Sequence, residues 1–397
     1  MGPSWLSRKL DKDLRRELNI KFKKRKILIL LVALGIVSIV SLQSVGASSA
    51  ASTPQSPANP NASLASKQVL QYLKDLPKQK KYRVISGQHM GRAEGLGANN
   101  MLMGYQNFVE QLQAQTGHWV GLIGASYGEA TPGVTPPYLD ADQLLTNYWN
   151  KGGLVAIVFM PPNPWTGGDQ FDTSKVGNLA DLVTPGNSAY TAWHAALDNM
   201  ALDLAELQKS GVVVLFRVFP EQNASWFWWG TQGANSSQKS FYELWRHTFT
   251  YMTKDKGLNN LLWVYAASAR ASTDALYFYP GNNYVDIVGM DDYEATGPKI
   301  AAYDELTSLG KPLALAEFGP NVQTAQKPDD YDWTYLLNAL KTQYPAFSYF
   351  MAWSGGPGVY QSLIDNKNVM GLLDDPVIAN LYQDHWSTQP VSFSPGP

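Results

Sequence analysis

Eight apolar, β-branched runs separated by helical patterns, with polar or acidic residues where those runs end, predict an α/β fold. The expected architecture is a (β/α)8 TIM barrel forming a single catalytic-type domain. The runs are 84–89, 119–127, 154–161, 212–221, 261–268, 285–293, 312–319 and 347–354. Several, such as LVAIVFM and VVVLFRVF, are apolar at successive positions, the pattern of strands buried on both faces of a parallel sheet. Between them, 189–210 carries Trp193, Leu197, Met200, Leu204 and Leu207 at helical spacing, and Gly211 stops it. Segments 142–150, 241–256 and 331–344 behave similarly. A doubly wound open sheet is the alternative, but eight near-regular units favour closure into a barrel.

The first 47 residues stand apart. Lys21, Lys23, Lys24, Arg25 and Lys26 form a basic run, and an apolar stretch without charge follows at 27–42. Small residues at Val45-Gly46-Ala47 suit a signal peptidase. The stretch is short against the ~20 residues of a spanning helix. Residues 1–47 are therefore expected to be a signal peptide, or an uncleaved membrane tether, of a protein exported to the exterior or to the outer face of a bacterial membrane. Residues 48–66, rich in Ser, Ala, Pro and Asn, are expected to be a flexible linker. The catalytic domain is expected at 67–390, with a tail at 391–397.

Composition narrows the chemistry. The chain of 397 residues is 45% hydrophobic, enough for a sizeable core, and its net charge is −2 with no basic half. That argues against nucleic acid as a main partner. It has no Cys, which excludes thiol nucleophiles, disulfides and Cys metal sites. Its 13 Trp and 21 Tyr, against 5 His, supply flat apolar faces of the kind that stack on sugar rings. His89, His118, His194, His247 and His385 lack metal-ligand spacing, and Asp291-Asp292 lacks a calcium-loop context. No metal or cofactor is expected, and a monomer is the default.

In a barrel of this type, chemistry sits at the C-terminal ends of the strands. Glu221 closes the fourth run and Glu317 the seventh, and burying a charge without purpose is costly. Two carboxyls facing across the mouth about 5–5.5 Å apart form the retaining glycosidase arrangement, in which one attacks the anomeric carbon and the other moves the proton. Tyr293 is positioned to hydrogen-bond Glu317. The competing reading is that either Glu merely pairs with Arg217. The run Gly124-Ala125-Ser126-Tyr127-Gly128 matches a serine-hydrolase elbow, but the Pro-rich segment after it cannot form the required helix. Ser126 is expected in a loop.

The segments LFRVFPEQNASWFWWG (215–230), VDIVGMDDY (285–293), LALAEFG (313–319) and VISGQHMG (84–91) resemble glycoside hydrolase family 26, and the likeness runs over 82–386. The resemblance implies a retaining endo-β-1,4-mannanase, with β-glucanase or β-1,3-xylanase action also found in the family. It implies Glu221 as acid/base, Glu317 as nucleophile, and Trp226 near the scissile bond. It also implies Asp291 and Tyr293 beside the nucleophile and the sugar, and Trp353 as stacking platform. His89, Arg217, Asn223 and Trp229 complete the expected substrate-binding set. Three positions depart from the family: Pro220 stands where His usually precedes the acid/base, Gln222 where Met is frequent, and Ser354 where some members carry Arg. A polar contact near the sugar is therefore expected to be missing, or to be supplied elsewhere by Gln222 or Asn223. β-Mannan is the leading substrate. A β-glucan, a β-xylan or an exopolysaccharide made by the same cell is the alternative, and a carbohydrate-binding protein that has lost catalysis is the reading from another class.

Overall fold

A computed structural model describes residues 56–93, 100–128, 136–231, 237–320, 331–353, 363 and 368–379. The N-terminal basic and apolar segment, Ser354, His385 and the expected C-terminal tail lie outside the described residues.

The strands are β1 (Val84–Ile85), β2 (Gly87–Arg92), β3 (Leu122–Tyr127), β4 (Leu154–Phe159), β5 (Val214–Val218), β6 (Leu261–Ser268), β7 (Ile287–Tyr293), β8 (Leu313–Gly319), β9 (Phe347–Ala352) and β10 (Ile378–Ala379). Strands β2 to β9 pair in order, all parallel, and β9 pairs with both β8 and β2, so the eight close into a barrel. The first expected run is split at Ser86, and its leading half β1 pairs with β9 and with β10. Nothing in the sequence marked β10, whose two residues are too few to carry a pattern.

The helices are α1 (Leu64–Asp75), α2 (Met101–Gly104), α3 (Gln111–Thr116), α4 (Leu139–Asn150), α5 (Ser188–Lys209), α6 (Gln238–Thr250), α7 (Tyr303–Ser308), α8 (Thr334–Thr342) and α9 (Val369–Leu373). The long α5 is capped by Asn187, whose side chain accepts from Tyr190 N–H, and buries Trp193, Leu197, Met200, Leu204 and Leu207. Ser237 caps α6 in the same way. The expected helix 241–256 changes to a π-helical turn at Tyr251–Asp255, a wider hydrogen-bonding step that apolar periodicity does not register.

Helices and barrel meet through an aromatic layer. Trp193 of α5 lies 6.1 Å from Phe159 of β4 and 5.4 Å from Phe219. Trp245 of α6 lies 6.4 Å from Trp263 and 5.8 Å from Tyr265 of β6. All four of Trp193, Trp245, Trp263 and Tyr265 are fully buried. At 150–250 Å² per aromatic and ~25 cal/mol per Å², each contributes about 4–6 kcal/mol as an upper bound. Alternation along each strand turns neighbouring side chains the other way: on β8, Phe318 packs on Trp333 at 5.9 Å, while Glu317 hydrogen-bonds groups from β5 and β7.

The expected linker at 48–66 is corrected at its C-terminal end. Ala58 N–H donates to Asp286 Oδ1 at 2.6 Å, and the other oxygen of Asp286 accepts from Trp263 N–H at 2.8 Å. Asn59 is 2% exposed and donates to Leu258 O, and Ser63 N–H donates to Asn259 O. Residues 58–63 therefore pack at the N-terminal ends of β6 and β7. A Ser/Pro/Asn-rich composition resembles a linker because these residues also make caps and tight turns, the use found here.

Candidate active site

The mouth of the barrel gathers one cation and three carboxyls in a buried cluster. Arg217 on β5 donates from Nη1 to both oxygens of Asp291 on β7, each at 2.7 Å. Its Nη2 donates to Oε1 of Glu317 on β8. The Tyr293 hydroxyl, also on β7, donates to Glu317 Oε2 at 2.5 Å. Both carboxylate oxygens of Glu317 thus have a fixed donor. Asp291 faces Glu317 directly in the β7–β8 register, after an irregularity between Met290 and Asp291. The Arg217 pairing weighed as a competing reading does exist, but it forms part of a network and fixes Glu317 at the mouth. Burial works against the Arg217 charge, but Asp291 and Glu317 together outweigh it and raise its already high pKa.

Glu221 is held differently. Strand β5 ends at Val218, three residues earlier than the expected run, and the chain then takes a strained course. Phe219 and Glu221 have φ of 51° and 52°, left-handed conformations rare for residues with a Cβ. Such residues cost of order 1–3 kcal/mol each and persist where surrounding contacts enforce them. Those contacts are present. Glu221 N–H donates to Ala266 O of β6 at 3.0 Å, and Trp229 Nε1 donates to Pro220 O at 2.8 Å. Asn223 donates to the carbonyls of Ser268 and Thr273, both at 3.0 Å, and accepts from Ser268 N–H at 2.8 Å. Gly230 closes the turn, because a Cβ there would lie 2.1 Å from Ala224 O.

The Glu221 carboxyl accepts from Trp226 Nε1 at 2.7 Å, and Ser268 at the end of β6 lies near it. Burial pushes its pKa up to about 7, and repulsion from Glu317 adds to this, while the Trp226 bond and Arg217 pull the other way. Glu221 therefore carries a proton at mildly acidic pH. Trp226 is 38% exposed, so its ring is available beside Glu221.

Trp353 stacks on His89 with ring centroids 3.7 Å apart, and the Arg217 guanidinium lies 5.7 Å from the Trp353 centroid. His89 Nδ1 accepts from Gly91 N–H, so Nε2 carries the proton and donates to Ser126 Oγ at 3.2 Å. Ser126 lies inside β3 and is 2% exposed, which corrects its expected loop position. It supports the ring beneath Trp353.

Three sequence-expected contacts are corrected. Asn223 is buried with its amide engaged by backbone groups, so it braces the turn and does not reach the mouth. Trp229 is fully buried, stacked on Phe227 at 4.5 Å, and belongs to the aromatic core. Asp291 is fully buried against Arg217 and acts on Glu317 through that cation. Gln222 does not replace the missing His either: it is buried, its amide nitrogen donating to Phe219 O and Ala266 O and its oxygen accepting from the Tyr265 hydroxyl. Ser268 was missed, although it carried the signal that marked the two Glu residues, a polar residue closing an apolar strand.

A parallel eight-stranded barrel with a buried carboxyl pair at its mouth, one member protonated and the other held by Arg and Tyr, is the framework of a glycoside hydrolase. Residues 58–381 match the model of glycosyl hydrolase family 26, and the chain belongs to that family. It is 33% identical over 305 residues to a mannan endo-1,4-beta-mannosidase of Bacillus subtilis, covering 74% of this chain and 81% of that protein. It is 32% identical over 335 residues to mannan endo-1,4-beta-mannosidase A and B of Caldalkalibacillus mannanilyticus, covering 81% of this chain but only 61% of that protein's length. The structure of Bacillus subtilis mannanase man26 superimposes with a TM-score of 0.73 at 31% identity, over 83% of this chain and 96% of that one.

Proposed function

We propose that the protein is a retaining endo-β-1,4-mannanase in which Glu317 is the nucleophile and Glu221 the acid/base. The observation that carries this reading is the contrast between the two carboxyls: burial keeps Glu221 protonated toward neutral pH, while Arg217 and Tyr293 each donate to one oxygen of Glu317. In the first step a Glu317 oxygen attacks the anomeric carbon, the glycosidic C–O bond breaks, and Glu221 gives its proton to the leaving oxygen. In the second, Glu221 takes a proton from water, which attacks the same carbon and frees Glu317. Trp226 orients the acid and lies beside the leaving group, and Trp353 on His89 offers the sugar a flat face.

Mannan is the preferred substrate because the relatives named above are mannan endo-1,4-beta-mannosidases. The basic run before the apolar stretch 27–42 supports export of the chain, so that it meets polysaccharide outside the cell. Reducing-end release from β-mannan, galactomannan, mixed-linkage β-glucan and β-1,3-xylan, with Glu221→Ala and Glu317→Ala as controls, tests the reading. Activity on β-mannan that both substitutions abolish is expected. Greater activity on another polymer would reassign the substrate, and activity surviving in Glu317→Ala would remove the assigned nucleophile.

A further inference from the structure

Away from the mouth, two carboxyls meet in the interior between α4 and α5. Asp142, in the first turn of α4, is 4% exposed, and Asp203 of α5 is 1% exposed. The Tyr127 hydroxyl at the end of β3 donates to Asp142 Oδ1 at 2.9 Å. The Tyr138 backbone N–H donates to Asp203 Oδ1 at 2.5 Å. Asp142 Oδ2 is buried and meets no protein donor, yet its carboxyl lies within hydrogen-bonding contact of Asp203. Ionised carboxylates only accept hydrogen bonds, so this contact and the orphaned oxygen are both satisfied by one proton between the two groups.

We propose that Asp142 and Asp203 share a single proton in the folded protein and form a proton-dependent latch between α4 and α5. The chain leaves β3 at Tyr127 and enters α4 at Tyr138, and each of these residues is bonded to one member of the pair. Their rings also meet edge to face, with centroids 5.8 Å apart.

Other charges reinforce the requirement for a proton. Glu206, on the same α5, adds negative charge that opposes ionisation of both groups. From β3 the facing titratable group is the Tyr127 hydroxyl, a donor, and among the described residues neither carboxyl is ion-paired with Lys or Arg. Burial first, and the negative neighbours after it, lift the pair above ordinary aspartates. The folded state thus keeps a proton that the unfolded chain releases near pH 4. The latch is complete below that range and is lost as pH rises through the raised value.

Asp142→Asn in the full chain supplies a permanent N–H donor toward Asp203 and keeps an oxygen for Tyr127. Melting at pH 6 and pH 9 tests the latch. The expected result is a Tm at pH 9 about 2–4 °C above wild type, with a smaller difference at pH 6. Parallel loss of Tm in wild type and variant between the two pH values would overturn the proposal. Asp203→Asn is the mirror test should the first variant not fold. A carboxyl 13C titration of the wild-type chain needs no variant: one proton retained by the pair at pH 6.5 is expected, and ionisation of both groups by pH 5.5 would overturn it.

Discussion

The Tyr293 hydroxyl donates to Glu317 Oε2 at 2.5 Å, while Arg217 bonds the other oxygen of the same carboxylate. The proposed nucleophile is thus fixed by two donors, one from the adjacent strand β7 and one from β5, before any substrate arrives. Tyr293→Phe removes one of them without changing the ring. A hydrogen bond to a charged group contributes about 1.5–3 kcal/mol, so kcat should fall about 10–100-fold with little change in KM. Steady-state kinetics on a soluble mannan oligosaccharide checks this.

Arg217 is the only described cation in contact with Asp291 or Glu317, and all three side chains are buried. Arg217→Met keeps the volume and removes the charge, leaving Asp291 and Glu317 buried without it. Breaking a buried pair in this way costs about 3–5 kcal/mol. Urea denaturation should report a loss of that size, accompanied by near-complete loss of turnover.

The acid limb and the alkaline limb of the pH profile report different groups, and Glu221 governs the alkaline one. A general acid works only while protonated, so kcat/KM should fall as pH rises through about 7. The Trp226 N–H stabilises the ionised form of Glu221 and so lowers its pKa. Trp226→Phe should therefore shift the alkaline limb to higher pH. Stability follows the same sign. Because the folded value lies above the unfolded one, the contribution of Glu221 is lost as pH rises toward 7, and Glu221→Gln should melt at higher temperature than wild type at pH 8.

Asn223 and Trp229 separate bracing from binding. Asn223→Ala deletes two hydrogen bonds to Ser268 at the end of β6 and one to Thr273 beyond it, and should cost about 1–3 kcal/mol of stability. Trp229→Ala opens a cavity in the aromatic core and should cost about 3–5 kcal/mol. For whatever fraction stays folded, KM for mannan should be close to wild type in both. A large rise in KM at unchanged stability would return either residue to the substrate site.

Barrel strands and their polar ends were legible because burial on both faces leaves continuous apolar runs, and a charge at the end of such a run stands out. Glu221, Glu317, Tyr293 and Arg217 all emerged from that signal and meet at the mouth. Orientation within a loop was not legible. Asn223 and Trp229 lie near Glu221 in sequence, but the left-handed turns at Phe219 and Glu221 send them to β6 and to the aromatic core. The packing of 58–63 against β6 and β7 was hidden for another reason. Its composition matches both a linker and a capping segment, and only its contacts with Asp286, Leu258 and Asn259 distinguish them.

The most direct measurement is the anomeric configuration of the first sugar released from a β-mannan oligosaccharide, followed by proton NMR as hydrolysis begins. Double displacement through Glu317 predicts that the β-anomer appears first and mutarotates to the equilibrium mixture, with no product from Glu317→Ala. Initial appearance of the α-anomer would mean single displacement by water, and would contradict the assignment of Glu317 as nucleophile.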